Sequence, residues 1–556
     1  MRPIPRTRHL LAILLLAAAS VTASYFSTID NRLSKVQIHI ATVAAKRHNP
    51  ALFSQDSVFG DSVRWRFYTP ALQALLEMIL LPTDYQDLTL PFRMLTGVLT
   101  MVYLSGMYAL LYRQCRSWSV SAYVAILSTT IIYALGRTFW GIGSLASITP
   151  ATMLTSVTPL VVLSYLRYER QWRLLLIFGF VGLCANLHMV TAMNLATVLL
   201  IVYLCRNRFS PSCWPGAIGC ALCAIMGAVP YVAYYLHLRY GLAPETAQIA
   251  AVEVYRAFRV GRLAVLYPDM LKSFFSWLLL VLVLLVPATA VLLRVERFRA
   301  RDLSVWIALA GGAMIVALVF HGASQLTGLL TGKAPPVIDF AQAANLAMLP
   351  LYVLFAQALT NLFRLMRQHK VRLRWACLAF MAFWMLPSDN LRVARHKGYE
   401  LAAYFMPEDQ KPLRVQQRHA KRLHRAELAH IAEWAKDQTE IDSVFLIDSA
   451  EFRMLSNRSI VASSDDVKSF YYITPWELGS WRKRVAHQMQ VLRPAGGKTS
   501  DLMVSKFIEE LRLEYWSDAK HWYVILRASE APEMTGSLQP IEGAGWGQHY
   551  RLYRAG

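Results

Sequence analysis

Only thirteen carboxylates occur in the first 388 residues, so each one is informative. Two of them, Asp56 and Asp61, stand five residues apart in the stretch Arg47–Pro70, which is rich in aromatic residues and broken by Pro50 and Gly60. A carboxylate in such a loop can take a proton from an acceptor hydroxyl once burial brings its pKa toward the working pH. Asp56 can also hold a divalent cation, Mg or Mn, against a phosphate. A helix cap or a plain solvated acid stands beside these readings.

Three other places carry polar side chains among apolar neighbours. His188 lies in "ANLHMVT", with Asn186 beside it and Thr191 one turn on. A histidine there can contact a phosphate or a sugar hydroxyl, or can be a hydrogen-bonded structural residue in a helix–helix turn. Arg137, next to Phe139 and Trp140, can bind a lipid phosphate or snorkel to ordinary headgroups. Lys333, Asp339, Gln342 and Asn345 form a polar stripe entering an apolar segment. Such a stripe faces the protein interior more often than lipid, as a site or as interhelical glue. Glu169, Glu296 and Asp302 sit in basic loops and read as solvated charges. No acid lies deep in an apolar segment, which speaks against a proton-coupled transporter.

The elements that must position these residues are mostly membrane helices. The chain has 556 residues, of which 55% are hydrophobic, and its apolar runs reach spanning length. Spans are expected at about 8–26, 91–112, 118–135, 147–166, 171–187, 189–205, 215–237, 272–294, 303–321, 340–362 and 374–388, eleven in all. With the first helix running outward, the basic loops "YRQCRSW", "RYERQWR", "CRNRFS", "RVERFRARD" and "RLMRQHKVRLR" all fall on the cytoplasmic side. The N-terminus is then cytoplasmic, and residues 27–90 form a large outer loop. Segment 67–82 must lie in the interface, because one more span would invert every later loop. Residues 1–388 hold 33 Lys and Arg against 13 acids, whereas 389–556 hold 24 against 22. Because the excess sits in short clusters between apolar runs, it marks membrane loops and not nucleic-acid binding. Seven cysteines, none beyond Cys377, give no disulfide or zinc pattern; Cys220 and Cys223 read as small packing residues.

Residues 389–556 alternate helix and strand, as a small extracytoplasmic α/β domain would. "SVFLID", "RSIVAS", "HWYVILRA" and "HYRLYR" read as strands. Helices are expected in "ELAHIAEWAKDQT", in "TSDLMVSKFIEELRLEYW", and from Thr474 as N-cap with Pro475 next. No glycine-rich phosphate loop is present, so this domain reads as a cap or docking module. The fold class is therefore a polytopic α-helical membrane protein with a C-terminal extracytoplasmic α/β domain.

The arrangement resembles the GT-C superfamily of multi-spanning glycosyltransferases, in its bacterial branch. The resemblance rests on "NPALFSQD" (Asn49 to Asp56), on "ANLH" (Ala185 to His188), and on "EFRMLSNRSIVAS" and "WELGSWRKRV" in the C-terminal part. It implies a GT-C-like membrane fold, with transfer of a sugar from a polyprenyl-phosphate carrier to an outer-face glycan, lipid or protein. Asp56, or Asp61, would then act as base or as ligand of a divalent cation. Arg137, His188, Asn186, Lys333, Asp339 and Gln342 would lie along the substrate, and the site would be in a bacterial inner membrane. Asn49 stands where the family pattern has its first acid. The rival class is a non-catalytic protein that handles a lipid carrier or docks an envelope-assembly partner through its C-terminal domain.

Overall fold

The computed structural model describes residues 6–27, 33–60, 64–128, 148–168, 172–240, 253–257, 303–332, 339–368, 398–494 and 499–556, apart from 68, 84, 86, 255, 400, 408, 409, 515, 517, 518, 520 and 532–535. The expected spans 272–294 and 374–388, and the residues Asp61, Arg137 and Lys333, lie outside the described residues.

Among the described residues, the first half holds α1 (Arg6–Ser27), α2 (Lys35–His48), α3 (Pro70–Leu80), α4 (Leu90–Cys115), α5 (Trp118–Ser128), α6 (Pro150–Tyr168), α7 (Arg173–Leu183), α8 (Ala185–Arg206) and α9 (Trp214–Tyr240). Then come α10 (Leu303–Ile315), a π-helical stretch Val316–Phe320, α11 (His321–Thr331), a 3-10 stretch Phe340–Ala347 and α12 (Met348–Gln368). Six helical stretches among the described residues are long and apolar enough to cross a bilayer: Thr7–Tyr25, Leu90–Cys115, Ala185–Arg206, Pro211–Leu238, Ser304–Thr331 and Phe340–Arg364. This is the make-up of a helical membrane protein.

Small residues let the helices approach closely, as association in lipid requires. A Cβ added at Gly182 of α7 would lie 2.1 Å from the Ala224 carbonyl oxygen of α9, and one at Gly227 of α9 would lie 2.5 Å from the Gly179 oxygen. At Gly106 of α4 it would meet the Leu160 side chain of α6 at 2.9 Å. These contacts leave no room for a side chain.

Between α1 and α4 no helix among the described residues reaches spanning length. Ser34 opens α2 with a capping box: its hydroxyl accepts from Gln37 N, and Gln37 Oε1 accepts from Ser34 N at 2.8 Å. The basic end Lys46, Arg47, His48 suits the negative pole of that helix. Lys46 Nζ donates to the carbonyls of Pro50 (2.7 Å) and Leu52 (2.6 Å), folding the following turns back onto α2. The helix α3 has eleven residues, about 16 Å, roughly half of what a span needs. Its Leu72, Gln73, Leu76 and Leu80 are buried while Met78 is exposed, as in a helix lying along a surface.

The C-terminal part holds α13 (Leu413–Gln438), α14 (Ala450–Ser456), α15 (Val467–Ile473), α16 (Leu478–Leu492) and α17 (Asp501–Glu514) around one sheet. Its strands are β1 (Val444–Leu446), β2 (Ser459–Ile460), β3 (Trp522–Arg527), β4 (Leu538–Ile541) and β5 (Tyr550–Ala555), in the order β2-β1-β3-β5-β4. The pairs β1–β2 and β1–β3 are parallel; β3–β5 and β4–β5 are antiparallel. One face packs on α13 through Ile431, Ala432 and Ala435. The other shares a core with Trp481, Phe507 and, from the first loop, Ile38, Ile40, Phe53 and Phe59. The loop is thus part of the module's core. Two local readings differ from expectation. Strand β4 carries Pro540 and has no alternating pattern to betray it. Thr474 makes no side-chain cap, and Pro475 opens a 3-10 turn, Pro475–Glu477, ahead of α16.

Substituting Gly182→Val is expected to force α7 and α9 apart and to lower the midpoint of thermal unfolding in detergent. Gly311→Ala, where the new Cβ meets nothing within 4 Å, should leave it unchanged. Equal midpoints for both variants would contradict the packing described.

Candidate functional site at the junction of the bundle and the module

The loop is locked to the module by one buried arginine. Arg453, on α14, donates from Nε to Asp56 Oδ2 at 2.7 Å and makes a two-pronged pair with Asp466, Nη1–Oδ1 at 2.9 Å and Nη2–Oδ2 at 2.7 Å. All three side chains are essentially excluded from solvent. Asp56 Oδ1 also accepts from Val58 N (2.9 Å) and Phe59 N (3.1 Å), and Oδ2 from Ile460 N (3.1 Å). Each oxygen therefore accepts two hydrogen bonds. Burial pushes the Asp56 carboxyl up, while the Arg453 guanidinium and the amides of Val58 and Ile460 pull it back. Burial also works against the charge of Arg453, but Asp466 and Asp56 outweigh it and push its pKa up. This is the geometry of an anchoring anion. A substrate hydroxyl or a cation would have to displace Arg453 to reach it. Among the described residues no group of three or more His, Cys, Asp or Glu is arranged to hold a metal ion.

A second polar cluster lies beside this anchor. His39, on α2, meets Ser469 Oγ through Nε2 at 2.8 Å and packs its ring 5.2 Å from that of Phe59. Burial pushes its pKa down to about 3, Arg453 and Lys468 adding to the shift and Asp56 opposing it. Lys468 precedes Ser469 on α15, and its charge also acts on His188 and Asp339. Burial pushes the Lys468 pKa down and Asp339 pulls it up. Among the described residues, no hydrogen bond or close ion pair holds its ammonium. Tyr472, one turn further along α15, also lies within electrostatic reach of Asp339.

Asp339 is placed by hydrogen bonds from three residues. Its carbonyl accepts from Asn194 Nδ2 of α8 at 3.1 Å; its carboxylate accepts from Ala341 N at 3.2 Å and Gln342 Nε2 at 3.0 Å. It caps the 3-10 stretch, whose three residues per turn set Asp339, Gln342 and Asn345 on one face. Of the expected stripe, the described members Asp339, Gln342 and Asn345 share a face because the stretch is wound as a 3-10 helix, and Lys333 lies outside the described residues. Burial pushes the Asp339 carboxyl above the ordinary range, against the Gln342 donor and the charges of His321 and Lys468.

His188 adopts an extended backbone (φ −155°, ψ 98°) that kinks α8 near its start. Its Nδ1 lies 2.8 Å from Thr191 Oγ1. Asn186 donates to the carbonyls of Leu183 (2.8 Å) and Gly227 (3.2 Å), tying the α7–α8 turn to α9. Beneath this turn an apolar groove of about 230 Å³ runs between α7, α8 and α9, lined by Gly182, Ala185, Met189, Ala192, Ala224 and Ile225 among others. Ala185 and Met189 flank His188.

Of the residues expected at a site, the structure brings His188, Asp339 and Gln342 into one neighbourhood and sets Asp56 in the adjoining anchor. Sequence reasoning missed Lys468, His39 and Arg453. Lys468 and His39 looked like ordinary charges of a solvated module and loop. The one available signal for Arg453 was its place in "EFRMLSNRSIVAS". No protein-family model matches the chain, and no curated protein matches its sequence. The site therefore rests on its geometry.

Replacing Arg453 with Met would leave two buried carboxylates unpaired and is expected to cost about 3–5 kcal/mol. It should open the loop to limited proteolysis near residue 56; an unchanged cleavage pattern and stability would reject the anchor. His39 gives a second test. Between pH 6.5 and about 3 the unfolded chain binds a proton at this residue that the folded chain does not. Stability contributed there is present at higher pH and falls with acidity, by at most about 1.4 kcal/mol per pH unit. His39→Gln should flatten that part of the profile, and an identical slope in the variant would count against a neutral His39.

Proposed function

We propose that the chain is a membrane glycosyltransferase that moves a sugar from a polyprenyl-phosphate carrier to an acceptor hydroxyl, with Asp339 as general base. The observation that carries this reading is a buried carboxylate, Asp339, under the pull of the Lys468 charge, on a stretch that Asn194 holds to α8, the helix that also lines the apolar groove. Asp339 would take the proton of the acceptor hydroxyl while that oxygen bonds to the anomeric carbon. The bond from the anomeric carbon to the phosphate oxygen would break, and the polyprenyl phosphate would leave with the electron pair. Lys468 and His188 would balance the phosphate charge, and the prenyl chain would lie in the groove between α7, α8 and α9. Gln342 holds the base in place. The resemblance to GT-C enzymes supports the same reaction class, although it points to Asp56 as the base; the four donors on Asp56 favour Asp339 instead.

In this reading the bundle has about eleven spans in a bacterial inner membrane, its N-terminus is cytoplasmic and the C-terminal module is extracytoplasmic. The five basic loops support that orientation. The saturated Asp56 also favours a second reading, a non-catalytic carrier-handling protein in which the loop–module anchor is the working part and the C-terminal module docks an assembly partner.

Asp339→Asn is expected to lower transfer about 10²–10⁴-fold with normal membrane levels. In the parent, activity should fall as pH drops through a pKa above the ordinary carboxylate value of 3.8, because the base must be ionised. Radiolabelled polyprenyl-phosphate sugars with purified protein provide the assay. Full activity in Asp339→Asn would remove it as base; carrier binding without transfer to any acceptor would favour the second reading.

A further inference from the structure

Ahead of its sheet, the module presents an apolar turn followed by the basic end of a helix. Residues 401–404 are helical and close on Phe405 and Met406, whose amides donate to the carbonyls of Ala402 and Ala403, each at 3.2 Å. Ala403 is buried, which fixes the inner side of the turn. Tyr404 and Phe405 are turned outward, each 80% exposed, with their rings edge-to-face and 5.5 Å apart. Leu401, Met406 and Leu413 are exposed as well. A single exposed apolar residue is ordinary, but so many within one short stretch, two of them adjacent aromatics, mark a surface that meets something other than water.

The helix that follows gains little from the protein over its first half. From Leu413 to Ala426, about 21 Å of α13, none of the described side chains is buried; burial begins at Glu427 and Leu428. Its cap residue, Pro412, makes no side-chain hydrogen bond, and its first turn holds no acid. Short helices without a packed face are marginal in water, and positive charge near the N-terminus opposes the helix dipole. Positive charge is nonetheless concentrated there. Residues 391–426 hold nine Lys and Arg against three acids, whereas residues 427–556 hold 15 against 18. The module is therefore polarised. Individual pairings, such as that of Arg425 with Glu451 at 3.7 Å, do not change the sign of either part.

An anionic lipid surface has the chemistry that suits such an edge. Aromatic side chains settle at headgroup level, aliphatic ones reach the acyl boundary, and Lys and Arg are drawn to anionic headgroups. A bilayer is at hand, because the same chain carries helices of spanning length. A second copy of the chain would set two basic ends against each other, which their like charge opposes. We propose that residues 401–407 and the first half of α13 dock the module on the leaflet beside it. Tyr404 and Phe405 enter the headgroup region, and the basic end of α13 lies over anionic phospholipids. The docking depends neither on the transfer reaction above nor on which leaflet the module adjoins.

The test places full-length protein in nanodiscs of phosphatidylcholine, alone or mixed with phosphatidylglycerol, and follows hydrogen–deuterium exchange. Amides of the turn and of the first half of α13 should exchange at least about fivefold more slowly with phosphatidylglycerol present, the effect of one basic residue engaged at an anionic surface. High salt should remove that difference. Arg414→Gln, Arg418→Gln and Lys421→Gln together should abolish the lipid preference, and Tyr404→Ser with Phe405→Ser should speed exchange in both lipids. Thermal midpoints equal to the parent's show that the variants fold. Independently of them, p-benzoylphenylalanine in place of Phe405 should yield, on irradiation, a lipid adduct seen by mass spectrometry. Absence of a lipid adduct overturns the proposal, as does an adduct to protein, whether this chain or another. Exchange that is equal in the two lipids, or unchanged in either folded variant, overturns it too.

Discussion

Arg453 is the residue on which the architecture turns. Its guanidinium is buried between two aspartates that belong to different parts of the chain, one in the first loop and one ahead of α15. A lone charge in that position would be costly to bury; three together, with backbone amides completing the shell of Asp56, satisfy one another. Because the loop enters the module's core through Phe53 and Phe59, the same contact fixes where α2 sits. The position of α2 then sets His39 against Ser469, and so orients the face of α15 that carries Lys468.

The polar junction is therefore built from three independently anchored pieces. The 3-10 stretch is held to α8 through Asn194, α15 is held to α2 through Ser469, and the kinked start of α8 is held to α9 through Asn186. None of these pieces is long in sequence. Each brings one polar group, and the groups meet because rigid helices carry them. Placing a buried base on a capped turn, not on a loose loop, limits its rotamers and keeps water from solvating it freely.

Much of the bundle was legible in the sequence because length and hydropathy are local properties. The runs that gave α4, α8 and α9 need only their own composition to be recognised, and the brevity of 67–82 was enough to keep α3 out of the spans. The strands β1, β3 and β5 were legible for the same reason. What could not be read was pairing. Asp56 drew attention as a scarce acid, yet its meaning lay in Arg453, Val58, Phe59 and Ile460, and no periodicity connects these positions. Lys468 was invisible for the opposite reason. It sits in a stretch with ordinary charge density, and only the fold brings its charge within reach of Asp339. The polar stripe from Asp339 to Asn345 was read correctly as a stripe, but the winding that aligns it was not.

The span between Asp56 and Arg453 is 397 residues. At about 5–20 residues per second of synthesis, the loop waits roughly 20–80 s for its partner. Throughout that interval the module's half of the core is missing, so Phe53 and Phe59 have nothing to pack against and Asp56 stays hydrated. Assembly of this region is consequently ordered in time: the loop can take its final shape only after the bundle has been laid down and α14 has been made.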